Sequence, residues 1–352
     1  MTPGAPASEG HATIDPAELL GLVEAWCVRA GFSRRDSKTV AEVIVDADLC
    51  GAHSHGVRLL AGLIPEIRQR TIDPAAVPEL VVDTGATAVL DAHHAFGPVA
   101  CKLALERAIE RSRSHGIAAI AIRNSSHWGR PAYYARVAAE RGVLLIAISN
   151  SAAAMLLWGA TEKSVGNNPI IIGVPRDGAE PLVLDISMQT AAWGRVRLHR
   201  DAGERLPGEW GYARDGSPTD DPVELLASGR MRPMGDHKGS GLAVMFEMLT
   251  AGLAGGLHSV ELTSLMKDGG HQFKSQLFIA LNPAKFSGVF ALNRVVESFA
   301  SSIQDLERAP GTTGPRLPGE GSAATRHRNL RQGIQVTPPL EAALDELRQD
   351  FA

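Results

Sequence analysis

The chain has 352 residues, of which 44% are apolar and 21% charged, a balance typical of a globular protein that buries a sizeable core. Its formal net charge is only −4 and no block of five like charges occurs, so the sequence does not favour a nucleic-acid-binding or electrostatically membrane-bound protein. The length allows two or more subdomains.

The cysteines and the N-terminus indicate the cellular compartment. Cys27, Cys50 and Cys101 are odd in number and widely spaced, which is typical of buried reduced thiols rather than of a disulfide framework. Residues 1–12 lack the basic and apolar regions of a signal peptide, and no later apolar run approaches the roughly 18 residues of a transmembrane helix. We therefore expect residues 1–12 to form a loose tail and the protein to be cytoplasmic, without a membrane or nucleic-acid partner.

Helical periodicity dominates the first part of the chain. Asp15-Pro16 predicts an N-cap followed by the first helical residue, and apolar residues recur at helical spacing until Gly31. A second helix is expected over residues 37–49. It leads directly to the sequence His53-Ser54-His55. The residues of its buried stripe are Val40, Val43, Ile44 and Ala47.

From Ala86 onwards strands alternate with helices. A strand over 88–90 and a helix over 99–115 are followed by continuous apolar runs, which are typical of strands covered by other elements. These runs lie at 117–122, 143–148, 170–174, 182–186 and 277–281.

The last third of the chain is expected to be mainly helical. Lys238 opens a helix with one apolar stripe, amphipathic helices follow around 286–306 and 340–351, and the Gly- and Pro-rich residues 309–325 predict a long loop. The stripe comprises Leu242, Met245, Phe246, Leu249 and Leu253. The predicted fold class is α+β, with an α/β subdomain over 86–285 inserted in a mainly helical subdomain built from 13–85 and completed by about 286–352.

Two histidines stand at the expected ends of elements. His127 lies in a polar loop after the strand 117–122, and His55 follows the second helix. Loops at strand ends often carry chemistry, and a well-placed imidazole contributes about 10²–10⁴-fold as an acid or base. Ser54 is placed to orient His55, and Gly56 to let a ligand approach the backbone. Each histidine alternatively hydrogen-bonds only its own loop.

A metal site is a second interpretation of the histidine-rich segments. His53, His55, His93 and His94 are residues of the type that binds zinc or iron. No His-Glu-x-x-His pattern, cysteine ligand or patterned carboxylate accompanies them, so we expect no metal, and a solvated turn at His93 and His94.

Three polar segments are candidates for binding an anion or a nucleotide. The turn Lys238-Gly239-Ser240-Gly241 predicts a helix N-terminus whose free N–H groups attract phosphate, with an ordinary helix start as the alternative. Asp185, in the strand 182–186, is placed to hold a ribose hydroxyl or orient an imidazole, or else forms an Asx turn. Gly166-Asn167-Asn168-Pro169 offers amides, or is only a turn. No G-x-G-x-x-G follows a strand and no P-loop pattern occurs.

Taken in chain order, several segments resemble the malate/L-lactate dehydrogenase family, whose fold is not a Rossmann fold, and are most similar to its 2,3-diketo-L-gulonate reductase branch. The resemblance runs from about residue 15 to the C-terminus. The segments are Ser54-His55-Gly56-Val57, Asn124-x-x-His127-Trp128-x-Arg130, Trp158-Gly159-Ala160, Gly166-x-Asn168-Pro169, Asp185-Ile186-Ser187-Met188, Pro233-Met234-Gly235-x-x-Lys238-Gly239-Ser240-Gly241, Ser275-Gln276-Leu277-Phe278-Ile279-Ala280 and Leu317-Pro318-Gly319-Glu320.

The resemblance implies a metal-free homodimer that interconverts a small-molecule 2-oxo acid and a 2-hydroxy acid with NAD or NADP, bound in a non-Rossmann α/β subdomain. His55 is the implied proton donor and His127 its alternative or partner, since charge develops on the substrate oxygen. Candidate substrate contacts are Ser54, Arg58 and Arg130. The implied cofactor contacts are Leu182, Val183, Leu184, Asp185, Ile186, Ser187, His237, Lys238, Gly319, Glu320 and Gly321.

The sequence departs from the family pattern at the residue that should hold the substrate carboxylate. The family usually has an arginine five residues after the serine, but here that position is Leu59. Arg58 precedes it, turned by about 100° on a helix. Either Arg58 is re-aimed, Arg130 serves, or the substrate is not a simple carboxylate. Cyclic imine carboxylate reduction within the family and a non-catalytic or metal-binding relative are the alternative functions.

Overall fold

The computed structural model describes residues 12–263 and 273–350, so residues 1–11 of the predicted tail lie outside the described residues. The α-helices are α1 (Pro16–Arg29), α2 (Arg34–Leu49), α3 (Val57–Ala61), α4 (Ile64–Arg68), α5 (Gly97–His115), α6 (Ala132–Glu140), α7 (Trp193–Ala202), α8 (Pro222–Ser228), α9 (His237–Glu247), α10 (Val289–Gln304), α11 (Glu320–Gln332) and α12 (Pro338–Gln349). The 3-10 turns are His53–His55 and Pro283–Lys285, and a π-helical turn spans Met248–Gly252.

The strands are β1 (Thr13–Ile14), β2 (Glu79–Asp83), β3 (Thr87–Asp91), β4 (Ile117–Ser125), β5 (Leu144–Ser149), β6 (Met155–Leu156), β7 (Lys163–Val165), β8 (Ile170–Val174), β9 (Leu182–Ile186), β10 (Gly211–Tyr212), β11 (Pro218–Thr219), β12 (Arg230–Met231), β13 (Lys274–Leu281) and β14 (Ile334–Gln335). The predicted strands at 117–122, 143–148, 170–174, 182–186 and 277–281 are confirmed to within a few residues.

A seven-stranded sheet forms the centre of the molecule, in the order β2-β3-β4-β13-β5-β8-β9. β3 and β4 are parallel, whereas every other neighbouring pair is antiparallel. The apolar face of the sheet packs against α5 and α6. β13 lies between β4 and β5 although more than a hundred residues separate it from either strand in the sequence. A second sheet has five strands in the order β11-β10-β12-β6-β7.

Both ends of the chain share one hydrophobic core. Apolar residues of α1 to α4 pack with those of β14 and α12, and β1 pairs with β14 in antiparallel register. The mixed α+β class is therefore confirmed. The boundaries at residues 85/86 and 285/286 stay predictions, and the buried residues of α10, Val296 and Ala300, do not belong to this core.

The long loop expected over 309–325 is wrong at its C-terminal end. α11 begins at Glu320, directly after Gly319, whose φ of 88° ends the extended segment. This helix has no apolar stripe that periodicity could reveal. Its buried contacts are polar instead, because Asn329 Nδ2 donates to the carbonyl oxygen of Leu49 at 2.9 Å. The second helix also begins earlier than expected, at Arg34, with Ser33 as its N-cap.

A buried carboxylate links three helices. Asp46 of α2 is 4% exposed and lies 3.2 Å from Arg130 Nη1, 2.7 Å from Arg136 Nη2 and 3.5 Å from Arg326 Nε. Arg136 belongs to α6 and Arg326 to α11. The charges of the arginines offset the cost of burying the carboxylate. Asp46 therefore joins the helical core to the elements around the sheet.

We predict that Asp46→Asn lowers the free energy of unfolding by about 3 kcal/mol, because it leaves several partly buried guanidinium groups without their carboxylate. Denaturant unfolding measures this change. Asp345→Asn is the matched control, since Asp345 is 53% exposed and pairs with Arg348 of its own helix, and its loss should be below about 1 kcal/mol. Equal losses in the two variants would contradict the structural role of Asp46.

Candidate active site

His55 is positioned by a buried aspartate. Asp48 is fully buried at the end of α2; its Oδ1 lies 2.9 Å from His53 Nδ1 and its Oδ2 accepts the N–H of Val57 at 2.8 Å. A Cβ at Gly56 would overlap the Asp48 carboxylate. Gly56 is therefore required for this protein contact, which differs from the predicted approach of a ligand to its backbone.

His127 lies in a loop that is fixed by hydrogen bonds on both sides. β4 continues beyond the predicted 122 to Ser125, through Asn124, whose φ is 52°. The Asn124 amide donates to both oxygens of Asp91 at 3.0 Å, and Ser126 Oγ accepts the first N–H of α5 at 2.9 Å. These hydrogen bonds fix the backbone next to His127, while the residue itself remains partly exposed.

The structure brings the two predicted imidazoles together. The ring centroids of His55 and His127 are 5.6 Å apart, with an angle of 48° between the ring planes. Both residues are partly exposed, so solvent reaches the space beside the two rings, which is called the cleft below.

The hydrogen bonds at Nδ1 distinguish the two rings. His127 Nδ1 accepts the N–H of Gly129 at 3.1 Å, so this ring is neutral and carries its proton on Nε2. His55 Nδ1 lies 2.9 Å from Ser54 Oγ, a hydroxyl that either donates or accepts. His55 can therefore take up a second proton without losing its partner, whereas His127 suits a neutral hydrogen-bond donor.

Two cations lie near these rings, and sequence reasoning missed one of them. Burial, together with the charges of Arg130 and Lys274, lowers the pKa of His55 to about 4. Burial, Lys274 and His55 also lower the pKa of His127. Lys274 is 7% exposed, and burial lowers its own pKa to about 8. The sequence signal for Lys274 is only that a lysine stands at the start of an apolar strand.

The arginines predicted to contact substrate have different environments. Arg58 is exposed on α3, and Leu59 packs against the helical core. The cations that lower the His55 pKa are Arg130 and Lys274, not Arg58. Arg130 is 9% exposed and already pairs with Asp46.

Most of the predicted cofactor contacts adjoin one edge of the main sheet. β9 is the edge strand, and the N–H of Val183 donates to the carbonyl oxygen of Pro318 at 3.0 Å, which brings Gly319 against β9. Beyond the other end of β9, the N–H of Met234 donates to the carbonyl oxygen of Met188 at 2.8 Å, just before α9. The segments 319–321 and 237–238 therefore lie near opposite ends of the strand that contains residues 182–186.

The start of α9 is not the open anion site that its sequence predicts. The N–H groups of Lys238 and Gly239 donate to the carbonyl oxygens of Gly235 and Met234, at 3.1 and 2.9 Å. A Cβ at Gly239 would overlap the Met234 carbonyl, so this glycine is required by backbone packing. At this turn, the side chains of His237 and Lys238 are exposed and can contact a ligand.

The Asp185 carboxylate contacts the start of α6. Its Oδ2 accepts the N–H of Ala132 at 3.3 Å, so it does not form the alternative Asx turn. The carboxylate is accessible, yet the surrounding protein raises its pKa by desolvation, against the lowering effect of Arg130. Asn168, by contrast, is structural, because its amide donates to the buried Glu247 carboxylate at 2.7 Å.

The histidines of the alternative metal site have other partners. His53 bonds Asp48, His93 lies 3.5 Å from Asp91, and the His94 ring packs against Phe273 at 4.4 Å. Over residues 12–263 and 273–350, no group of three His, Cys, Asp or Glu residues is arranged to hold a metal ion. Within the same ranges, no helix combines the length and apolar character that crossing a bilayer requires.

Comparison with known proteins gives matches over nearly the whole chain. Residues 14–345 match the family model described as malate/L-lactate dehydrogenase. A Delta(1)-pyrroline-2-carboxylate/Delta(1)-piperideine-2-carboxylate reductase of Pseudomonas syringae pv. tomato is 33% identical over 346 residues, which is 97% of each protein. A 2,3-diketo-L-gulonate reductase of Klebsiella oxytoca is 33% identical over 319 residues, 90% of this chain and 95% of the relative. The structure of a sulfolactate dehydrogenase from Methanocaldococcus jannaschii has a TM-score of 0.90 at 30% identity, and the match covers 96% of this chain and 97% of that one.

We predict that His55 titrates in the folded protein with a midpoint of about 4, so that its ring is neutral at pH 7 without an anion nearby. Histidine NMR signals recorded against pH, assigned with His55→Gln, measure the midpoint. Lys274→Met should move it upwards, because the variant removes one of the two positive charges. A midpoint near the ordinary value of 6.5 would show that the ring is not desolvated.

Proposed function

The chain belongs to the malate/L-lactate dehydrogenase family, as its motifs predicted, and we propose that it is an NAD(P)H-dependent reductase of 2-oxo acids. The named relatives are reductases and dehydrogenases, which supports an oxidoreductase. The observation that carries the proposal is the pair of cleft-facing imidazoles, 5.6 Å apart, of which one can gain a proton and the other is a fixed donor.

The edge of β9 suits an extended dinucleotide. Five residues of strand span roughly 17 Å, with the side chains of His237 and Lys238 beyond one end and residues 319–321 at the other. A cavity of about 250 Å³ opens at the start of β9, between Leu182, Pro318 and Glu320. When bound, the reduced nicotinamide supplies the hydride. Lys238 supplies a positive charge for the phosphates, and Asp185 an acceptor for a hydroxyl.

The chain's own residues would supply the proton that the substrate oxygen takes up. His55 donates one from its imidazolium to the substrate oxygen, which becomes the hydroxyl of the product, and Ser54 keeps the ring in place. His127 donates a hydrogen bond to the same oxygen through Nε2, where negative charge develops. Because burial and two cations disfavour the imidazolium of His55, a substrate carboxylate close by would favour its formation.

Reduction of a cyclic imine carboxylate is the second candidate. It is favoured by the relative that is 33% identical over 97% of this chain and is named for that activity. The same arrangement would serve, with hydride added to the imine carbon and the proton to the nitrogen. A panel of 2-oxo acids and cyclic imine carboxylates, each with NADH and NADPH, distinguishes the two candidates by loss of nicotinamide absorbance. No turnover of any of them would overturn both.

We predict that His55→Gln lowers kcat/KM by about 10²–10⁴-fold, the usual contribution of a general acid. His127→Ala should cost about 10²–10³-fold, as expected for one donor to a developing oxyanion. Steady-state kinetics with the best substrate of the panel measures both effects. His115→Gln, at the exposed end of α5, is the matched control and should keep wild-type activity. Full activity in His55→Gln would remove His55 from the proposed mechanism.

A homodimer is part of the proposal and is supported by two exposed apolar helix faces. On α9 and the π-helical turn that continues it, Leu242, Met245 and Leu249 lie on one stripe and are 43%, 56% and 37% exposed, whereas Phe246 is buried. On α10, Phe299 is 66% exposed. Such faces are typical of subunit interfaces. The division into a helical and an α/β subdomain and a cytoplasmic location belong to the same proposal, the latter supported by three buried free cysteines.

We predict that Met245→Glu combined with Phe299→Glu converts a dimer into a monomer, because it places charges on an apolar interface. Light scattering coupled to gel filtration measures the mass. Leu198→Glu is the matched control, since Leu198 is 69% exposed but belongs to α7. A double variant with the mass of the wild type would show that these faces do not form the interface.

A further inference from the structure

We propose that Lys274 holds the substrate carboxylate and thereby selects 2-oxo or 2-imino acids over uncharged carbonyl compounds. The inference rests on the proposed function and adds to it the residue that determines specificity. It also accounts for Leu59, where the expected arginine is missing.

The geometry of β13 places Lys274 under the histidine loop. Residues two apart on a strand share a face. On the face of Lys274, the Phe278 ring packs against Trp128 with centroids 6.2 Å apart, and Gln276 Nε2 donates to the carbonyl oxygen of Ser126 at 3.2 Å. These contacts lie on either side of His127. Lys274, next along this face, is therefore directed towards the cleft in front of the loop.

A bulge in β4 keeps this arrangement in register. Lys274 is paired with Ser125 and Gln276 with Ile122, so two steps along β13 match three along β4. Asn124, with its positive φ, lies within the longer side. The alternation of β13 is thus uninterrupted, and the extra residue turns the end of β4 into the loop that carries the histidine.

Among the residues that the structure describes, Lys274 is a buried cation without a counter-ion. It is 7% exposed, and within the described ranges no carboxylate pairs with its ammonium group. The nearby Arg130 differs, because it is already paired with the Asp46 carboxylate. A second polar atom beside Lys274 is also unsatisfied within the described ranges: Oε1 of the fully buried Gln276 has no hydrogen-bond partner. Burying such groups is costly unless a ligand completes them.

An anion bound to Lys274 would also favour protonation of His55, the proposed proton donor. The charge of Lys274 lowers the proton affinity of both His55 and His127. A carboxylate bound there offsets that charge, so the pKa of His55 should rise when the substrate binds. His127 is fixed as a neutral donor by Gly129, so the added proton goes to His55. Binding of the acid and loading of the proton donor are thus coupled through one ammonium group.

The test compares the turnover of a 2-oxo acid with that of its amide in the wild type and in variants of Lys274. With the best 2-oxo acid of the panel, Lys274→Met should raise KM by about 10–100-fold, the loss expected for a charge-assisted hydrogen bond. Turnover of the corresponding 2-oxo amide should not fall, and Lys274→Arg should restore much of the activity on the acid. Lys285→Met, at an exposed lysine after β13, is the matched control. An unchanged preference for acid over amide in Lys274→Met would overturn the proposal while leaving the reductase function intact.

A binding measurement separates failure of this proposal from failure of the reductase function. Calorimetry with oxalate, a non-reducible mimic of a 2-oxo acid, needs no turnover. Oxalate should bind the wild type and Lys285→Met, and at least tenfold more weakly to Lys274→Met. It should raise the NMR titration midpoint of His55 in the wild type and in Lys285→Met, but not in Lys274→Met. Equal oxalate affinity in Lys274→Met, or no binding to the wild type, would overturn the proposal whether or not the panel is turned over.

Discussion

The pairing of β13 between β4 and β5 is the constraint on which the candidate site depends. This strand comes from residues 274–281, yet it forms the middle of a sheet whose neighbouring strands end before residue 150. Its side chains support the histidine loop from below, and its first residue places a positive charge at the cleft. Without this long-range pairing, β4 would still end near His127, but neither Lys274 nor Gln276 would lie beside it.

Charge balance in the cleft follows from how the cations are paired. Asp46 pairs with three arginines and thereby links the helical core to α6 and α11. One of these, Arg130, also lies near His55 and Asp185 and lowers the pKa of both, but it is already paired with a carboxylate. Lys274 remains without such a partner in the described part of the chain. The same short cleft therefore contains a structural cation and a cation that is available to an anionic ligand.

The hydrogen-bond partners at Nδ1 give two chemically identical side chains different roles. An N–H group at Nδ1 fixes the proton of His127 on Nε2, whereas a hydroxyl at Nδ1 lets His55 exist in either state. Glycine has a structural part in this arrangement. Gly56 leaves room for the Asp48 carboxylate, which holds the turn that carries His55. The roles thus depend on partners one or two residues away rather than on the imidazoles themselves.

The sequence by itself determined the family, the α+β class, most strands and helices, and the two histidines, because apolar periodicity and motif spacing are local properties of the chain. It did not reveal α11, whose buried contacts are polar, or the bonded N–H groups at the start of α9. Only the tertiary structure decided that His55 and His127 face each other, that Arg58 is exposed, and that Lys274 adjoins both histidines. The physical reason is that these relations arise from contacts between residues far apart in the chain, and no local pattern encodes a strand pairing across more than a hundred residues.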